Sequence, residues 1–467
     1  MKAVTFRESP VPVLLVLVAL FGFVEYLDVR VVRHERRVQV VMVPAVPPVA
    51  GVVDEAVATD AIPAGEDRDA ALAALHHTIE VAPADPSGYF GLGVLEEQAG
   101  DAATAERHYL EALDVQSGHR KARYRLAMLL LDTGRAAEAG RHLEVLAHEA
   151  ADPRVSFGLG RVRRALGDEK GAEAAYREAL RLARGKYPEA SYNLGLLLHG
   201  AGRHMEAEAA YRQALKQNPS YTAAWINLAV LLTDLKRYAQ ALEAAERAVA
   251  VNPHSEKAWF LRGRLLSETG RPREALAAYL EAVKLRPGYT KAMLNAAVLR
   301  AGANQLDDAI ALYHQVLAID PHNALAWYNL GLALHRGGRD DEARAAYEEA
   351  LRADPEATKA AQNLGVLYAR AGRVEDARAV FAEALEHRPD DVGLRFNLAL
   401  QLEELGQTDA AIAAIQRVVH LNPRHPRALT VLANLLAIQG RVEEAARARA
   451  KAGEVDRRAT SGSRSRS

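Results

Sequence analysis

Proline stands at Pro219, Pro253, Pro287, Pro321, Pro355, Pro389 and Pro423, each 34 residues after the one before. A residue with no amide proton and a fixed φ ends a helix, so this spacing divides the chain into short equivalent units and excludes a single closed core. With this proline numbered as position 32, alanine occupies position 20 in unit after unit, as in Ala207, Ala241, Ala275, Ala309, Ala343 and Ala377. So small a side chain at a fixed place marks a close helix crossing.

The rest of the unit follows helical spacing. Position 24 is aromatic in Tyr109, Tyr176, Tyr211, Tyr279, Tyr313, Tyr347 and Phe381, and lies on the same helical face as position 20. Positions 4, 7, 8 and 11 form a second stripe, for example Trp327, Leu330, Gly331 and Leu334. Between the stripes a glycine recurs at position 15 (Gly202, Gly270, Gly338, Gly372), the residue that turns most easily to positive φ after a helix end. Each unit therefore reads as helix, tight turn, helix and stop.

The run Trp327 to Pro355 (WYNLGLALHRGGRDDEARAAYEEALRADP) resembles the tetratricopeptide repeat family. That resemblance implies an all-α, right-handed α-α superhelix, here of about eleven helix-turn-helix units beginning at Pro86, Arg120, Pro153, Pro188, Thr222, Glu256, Thr290, Ala324, Thr358, Val392 and Pro426. Local departures are Lys236 and Asn304 in place of glycine at position 15, Arg262 in place of leucine at position 7, and one extra residue before Pro188. The reading gives a tail and anchor over 1–33, a Val/Pro-rich linker over 34–65 and a capping helix over 66–85. A repeat array follows over 86–457, then a disordered Ser/Arg tail over 458–467.

The N-terminus carries a separate expectation. Residues 10–24 hold no charge, and tolerating Glu25 extends the apolar stretch to residue 27. At 1.5 Å per residue this reaches about 27 Å, borderline for about 30 Å of hydrocarbon, and an N-terminal membrane-anchor helix over 10–27 is expected. The absence of cysteine and the extended Val38 to Val53 spacer tilt the soluble part towards the periplasmic side of a bacterial inner membrane, with the cytoplasmic side the alternative.

Once the core stripes are assigned, positions 2, 5, 6, 9, 12 and 13 of the first helices remain to face a partner. Position 6 is asparagine in Asn193, Asn227, Asn295, Asn329, Asn363 and Asn397. An amide side chain both donates and accepts, matching an extended peptide backbone. Tyr192, Phe260, Tyr328 and Phe396 at position 5 are expected to form an apolar floor, and Lys257, Lys291 and Lys359 at position 2 a basic rim. The asparagine ladder resembles the repeat superhelix of the protein O-linked N-acetylglucosamine transferases, which implies gripping of a substrate peptide; no counterpart of that family's catalytic domain is expected.

Other functions are disfavoured. A formal net charge of −1 gives no basic footprint for nucleic acid. No HExxH or comparable ligand set appears, and the Gly-Leu-Gly runs at residues 91–93 and 158–160 lie within repeat helices with no preceding strand. The expectation is a non-enzymatic, membrane-tethered scaffold, without cofactor, metal or small-molecule substrate, that binds an extended segment of a partner protein. The alternative is an accessory subunit presenting clients to a separately encoded enzyme such as a glycosyltransferase or an envelope-assembly factor.

Overall fold

The computed structural model describes residues 5–6, 27–34, 37–44 and 68–464, with side chains described from 68 to 455 apart from Pro426. It divides into two compact units, Met1–Pro253 and His254–Ser467. In the first, helices run from Arg68–Val81 to Tyr238–Val251, and in the second from Glu256–Glu268 to Val442–Arg464. Within each unit every repeat is a hairpin of a first and a second helix, and the second helix also packs on the first helix of the next repeat. Such a hairpin cannot bury both of its apolar stripes alone, so each is completed by its neighbour.

The turn at position 15 explains both the glycines and their replacements. Gly338 takes φ 74°, and Lys236 and Asn304 take φ 58° and 62° at the same place. The Arg339 amide donates to the Leu334 carbonyl at 2.9 Å and the Gly338 amide to that of His335 at 3.0 Å, a Schellman closure that requires left-handed backbone. The extra residue before Pro188 is absorbed by a further left-handed pair, Arg184 at φ 51° and Gly185 at φ 75°.

Position 4 ties the inter-repeat loop down. The Trp225 indole donates to the Pro219 carbonyl at 2.8 Å and the Trp327 indole to the Pro321 carbonyl at 2.9 Å. Tryptophan is selected here for one N–H on a broad apolar body.

Two expectations need correction, and a third falls outside the described residues. Arg37–Pro44 is a strand paired antiparallel with Leu27–His34, from Leu27↔Pro44 to His34↔Arg37, so the start of the segment read as an extended spacer is paired; its run of β-branched valines favours a pleated strand. The last helix, Val442–Arg464, runs past residue 457 into the segment where a disordered tail was expected, propagated from the Ala-, Arg- and Glu-rich stretch before it, although Thr460, Ser461, Gly462 and Ser463 are themselves weak helix formers. The anchor expected over 10–27 lies, except for Leu27, outside the described residues; among those described, no helix is long and apolar enough to cross a membrane.

Candidate peptide-binding face

First helices of neighbouring repeats lie side by side, as Thr358–Arg370 does against Val392–Glu404, so residues at one position line up from repeat to repeat. At 3.6 residues per turn, positions 2, 6, 9 and 13 share an arc of about 60°, while positions 5 and 12 fall to one side of it, towards the second helix. The sequence reading grouped all six; the structure separates them.

Position 5 belongs to the core. Tyr192 is 2% exposed and Phe396 6%. The Tyr192 ring lies between Tyr211 of its own hairpin, 6.1 Å between centroids, and Tyr221 at the start of the next, at 4.9 Å. Half-buried Phe260 lies likewise between Tyr279 at 5.7 Å and Tyr289 at 5.0 Å, and half-buried Tyr328 lies 6.1 Å from Tyr347. All four rings were expected to floor a groove; instead Tyr192, Phe260 and Phe396 are ribs, each packed on a ring at the start of the next hairpin, while Tyr328 is half-buried against its own hairpin.

The ring that closes each rib comes from position 34, which sequence reasoning missed. That position alternates between two duties. Asn323 and Asp391 cap the next helix, accepting from the Ala326 amide at 2.9 Å and the Leu394 amide at 2.8 Å, whereas Tyr187, Tyr221 and Tyr289 offer no side-chain cap and stack instead. His425 does both, accepting from the Ala428 amide at 3.1 Å while its ring stacks on Phe396 at 5.0 Å. The mixture of aromatic and capping residue types at one repeat position was the available signal.

The asparagines divide into two sets. In the first unit Asn193 is 5% exposed and donates to the Glu189 carbonyl at 2.9 Å; Asn227 donates to the Tyr192 hydroxyl and the Ala223 carbonyl, both at 2.9 Å. In the second unit Asn363 donates to the Tyr347 hydroxyl at 3.3 Å. Asn295, Asn329 and Asn397 are half-exposed and, among the described residues, their amides make no hydrogen bond. Each closed amide has its own partner: Asn193 bonds only within its own helix, Asn227 meets the hydroxyl of Tyr192 at position 5 of the preceding repeat, and Asn363 that of Tyr347 at position 24 of the preceding repeat.

Position 9 supplies the apolar surface that position 5 does not. Val298 is 46% exposed and Val366 38%, and Leu332 and Leu400 are half-buried beside them. The expected rim lysines lie at position 2, with Lys359 exposed and Lys257 and Lys291 half-buried. Position 13 adds the exposed Arg336, whose guanidinium donates to the Ala301 carbonyl at 2.8 Å, and the exposed Arg370. Burial pushes the Tyr347 hydroxyl up to about 12, against the opposing bond from Asn363, and burial raises that of Tyr328 as well. Both hydroxyls therefore stay protonated through neutral pH. Among the described residues no group of three His, Asp or Glu side chains is placed to hold a metal ion.

Tetratricopeptide repeat profiles match residues 96–159 and 198–265, and a second such profile matches 64–114 and 157–222. A profile for the C-terminal domain of cilia and flagella-associated protein 70 matches 255–466. No curated protein matches the chain. Among solved structures, the chain is similar to YrrB, described as a TPR protein with an unusual peptide-binding site, at 23% identity and TM-score 0.38, over 40% of this chain and 97% of that one. It is similar to MamA at 23% identity and TM-score 0.35, over 38% and 96%, and to yeast Tom70 at 15% identity and TM-score 0.36, over 80% and 93%.

Proposed function

We propose, from the premise that this chain is a tetratricopeptide repeat protein, that it is a scaffold whose first-helix face in the second unit holds an extended segment of a partner protein. The observation that carries this is the set of three half-exposed amides, Asn295, Asn329 and Asn397, left without intramolecular hydrogen bonds beside the apolar row at Val298, Leu332, Val366 and Leu400. An amide can donate to a peptide carbonyl and accept from a peptide N–H, and the apolar row takes side chains of the same segment. Each such bond nets about 0.5–1.5 kcal/mol, so several must act together against the cost of ordering the segment.

The test is site-specific photocrosslinking from Val298 in intact cells, in the otherwise native chain and in a chain carrying Asn295→Ala, Asn329→Ala and Asn397→Ala. A partner crosslinked by the first and lost by the second, with unchanged circular dichroism, is the expected result. Equal crosslinking by both rejects the amide grip.

The tether belongs to the same reading. The uncharged run at residues 10–24 supports attachment to a bacterial inner membrane, with the repeats on its periplasmic face and partners brought to that surface. Flotation of the full chain with vesicles, lost on deletion of residues 10–27, is the expected outcome; flotation that survives the deletion removes the anchor from the proposal.

A further inference from the structure

Three consecutive first helices, Thr290–Gly302, Ala324–Arg336 and Thr358–Arg370, carry four cations at positions 2 and 13, namely Lys291, Arg336, Lys359 and Arg370. No carboxylate occupies positions 2, 6, 9 or 13 of these three helices. Lys291, Lys359 and Arg370 make no ion pair among the described residues, and the bond from Arg336 to a carbonyl leaves its charge uncompensated. Position 2 lies near the start of each helix and position 13 at its end, so the cations form two rims with the apolar position 9 and the asparagines between them. Glu268 on the preceding first helix and Glu404 on the following one bound this basic stretch at either side.

Within the stretch the amide ladder is interrupted. Asn295 and Asn329 are open, and Asn363 is held by the hydroxyl of Tyr347. We infer that the segment held here carries apolar side chains interspersed with carboxylates, and that Tyr347 fixes its register by withholding Asn363, so that it is gripped at Asn295 and Asn329. The inference rests on the function proposed above and adds the partner's chemistry and a positioning residue. Carboxylates suit the rims because arginine and lysine donate charge-assisted bonds there. Each amide, in turn, is available only when no hydroxyl from the preceding repeat satisfies it.

The experiment uses the full chain and two fluorescein-labelled twelve-residue peptides, one alternating Val and Glu and one alternating Val and Lys, with binding read by fluorescence anisotropy. The Val-Glu peptide is expected to bind about tenfold or more tighter, with the margin shrinking as salt is added. In a chain carrying Lys359→Glu and Arg370→Glu, which brings the net charge of the four rim positions to zero, the preference should be lost. Equal affinity for the two peptides overturns the inference of an acidic segment.

The variant Tyr347→Phe releases Asn363 and is expected to tighten Val-Glu binding about three- to tenfold, with Asn363→Ala on that background removing the gain. The change suits the fold, since Phe381 stands at position 24 of another repeat. No gain, or a gain that persists without Asn363, overturns the register role. The two readings separate in the Asn295→Ala, Asn329→Ala, Asn397→Ala chain. Intact Val-Glu binding there, abolished by the two charge reversals, keeps the acidic segment and rejects the amide grip. Loss there, with no preference between the peptides in the native chain, does the opposite.

Discussion

A Cβ placed on Gly331 would lie 2.6 Å from a ring carbon of Tyr347, closer than side-chain atoms come in a packed core. The same relation joins Gly195 to Tyr211 at 2.7 Å and Gly263 to Tyr279 at 2.8 Å. Where position 24 is aliphatic, as in Leu143, Ala245 and Ile415, position 8 holds alanine: Ala127, Ala229 and Ala399. The two positions are therefore one packing unit, whose shared volume is filled from either side; Ala297 opposite Tyr313 is the exception. Gly331→Ala is expected to destabilise its hairpin by about 1–3 kcal/mol, measured by urea unfolding, and Tyr347→Leu on the same chain should recover part of that loss. Additive losses would refute the pairing.

Nearly all of the repeat fold is legible in the sequence, because its determinants are local and recur. Pro321 stops a helix, Gly338 turns it and Ala343 lets two helices meet, each by a property of that residue alone. The binding face was less legible because its residues act across repeats. Whether Asn363 is open depends on Tyr347, 16 positions earlier in the preceding repeat, and whether Tyr192 is floor or core depends on Tyr221 at the start of the next hairpin. A single-repeat pattern contains neither relation. The N-terminal strand was missed for a different reason: valine and proline together fit both an extended spacer and a pleated strand, and only pairing decides.

Acid should weaken the first unit before the second. Arg135 bridges Glu138 of its own helix to Glu106 of the preceding repeat, and Arg203 bridges Glu206 to Glu173 in the same way. The Arg135 hydrogen bonds hold the Glu138 carboxyl below its ordinary value, and those of Arg203 do the same for Glu206. For Glu173 and Glu208 burial alone would raise the value, but arginine hydrogen bonds outweigh it and both lie low. A carboxyl whose folded value is depressed stabilises the fold above its unfolded value and loses that contribution as pH falls through the folded one. In the second unit the position facing such an arginine is Leu276, Ile310, Arg344, Arg378 or Ile412, so pairs such as Arg271–Glu274 and Arg339–Glu342 stay within one repeat. Hydrogen-exchange protection should be flat from neutral pH to about 5 and fall below about 4.5, first in Ala136–Glu149 and His204–Gln217. Added salt should blunt the part carried by Arg135, Glu138, Arg203 and Glu206, which face water. Simultaneous loss in both units would contradict the assignment.

The Trp327 bond to the Pro321 carbonyl makes a separate prediction. Trp327→Phe keeps an aromatic body but removes the donor, and is expected to cost about 0.5–1.5 kcal/mol in urea unfolding. Trp327→Leu, which also loses ring area, should cost more. Faster exchange is expected at the amide of Asn323, whose own partner is the Asp320 carbonyl at 3.2 Å within that loop. Equal stability of native chain and Trp327→Phe would mean the indole contributes through packing alone.

Lys236 tests the turn itself. Its φ of 58° lies where a Cβ crowds the following carbonyl, yet the turn is kept because the Arg237 amide must reach the Leu232 carbonyl, at 2.8 Å, to close the helix. Glycine removes the crowding but adds freedom to the unfolded chain, so the two effects oppose each other. The crowding is the larger for a lysine, which has no short polar group to compensate it, and Lys236→Gly is expected to raise stability by up to about 1 kcal/mol. Asn304→Gly, at φ 62°, should change little, because asparagine already tolerates left-handed backbone. Thermal or urea unfolding of the two variants side by side decides: a gain at Asn304 as large as that at Lys236 would show that the left-handed geometry costs both residues alike and that the side-chain argument fails.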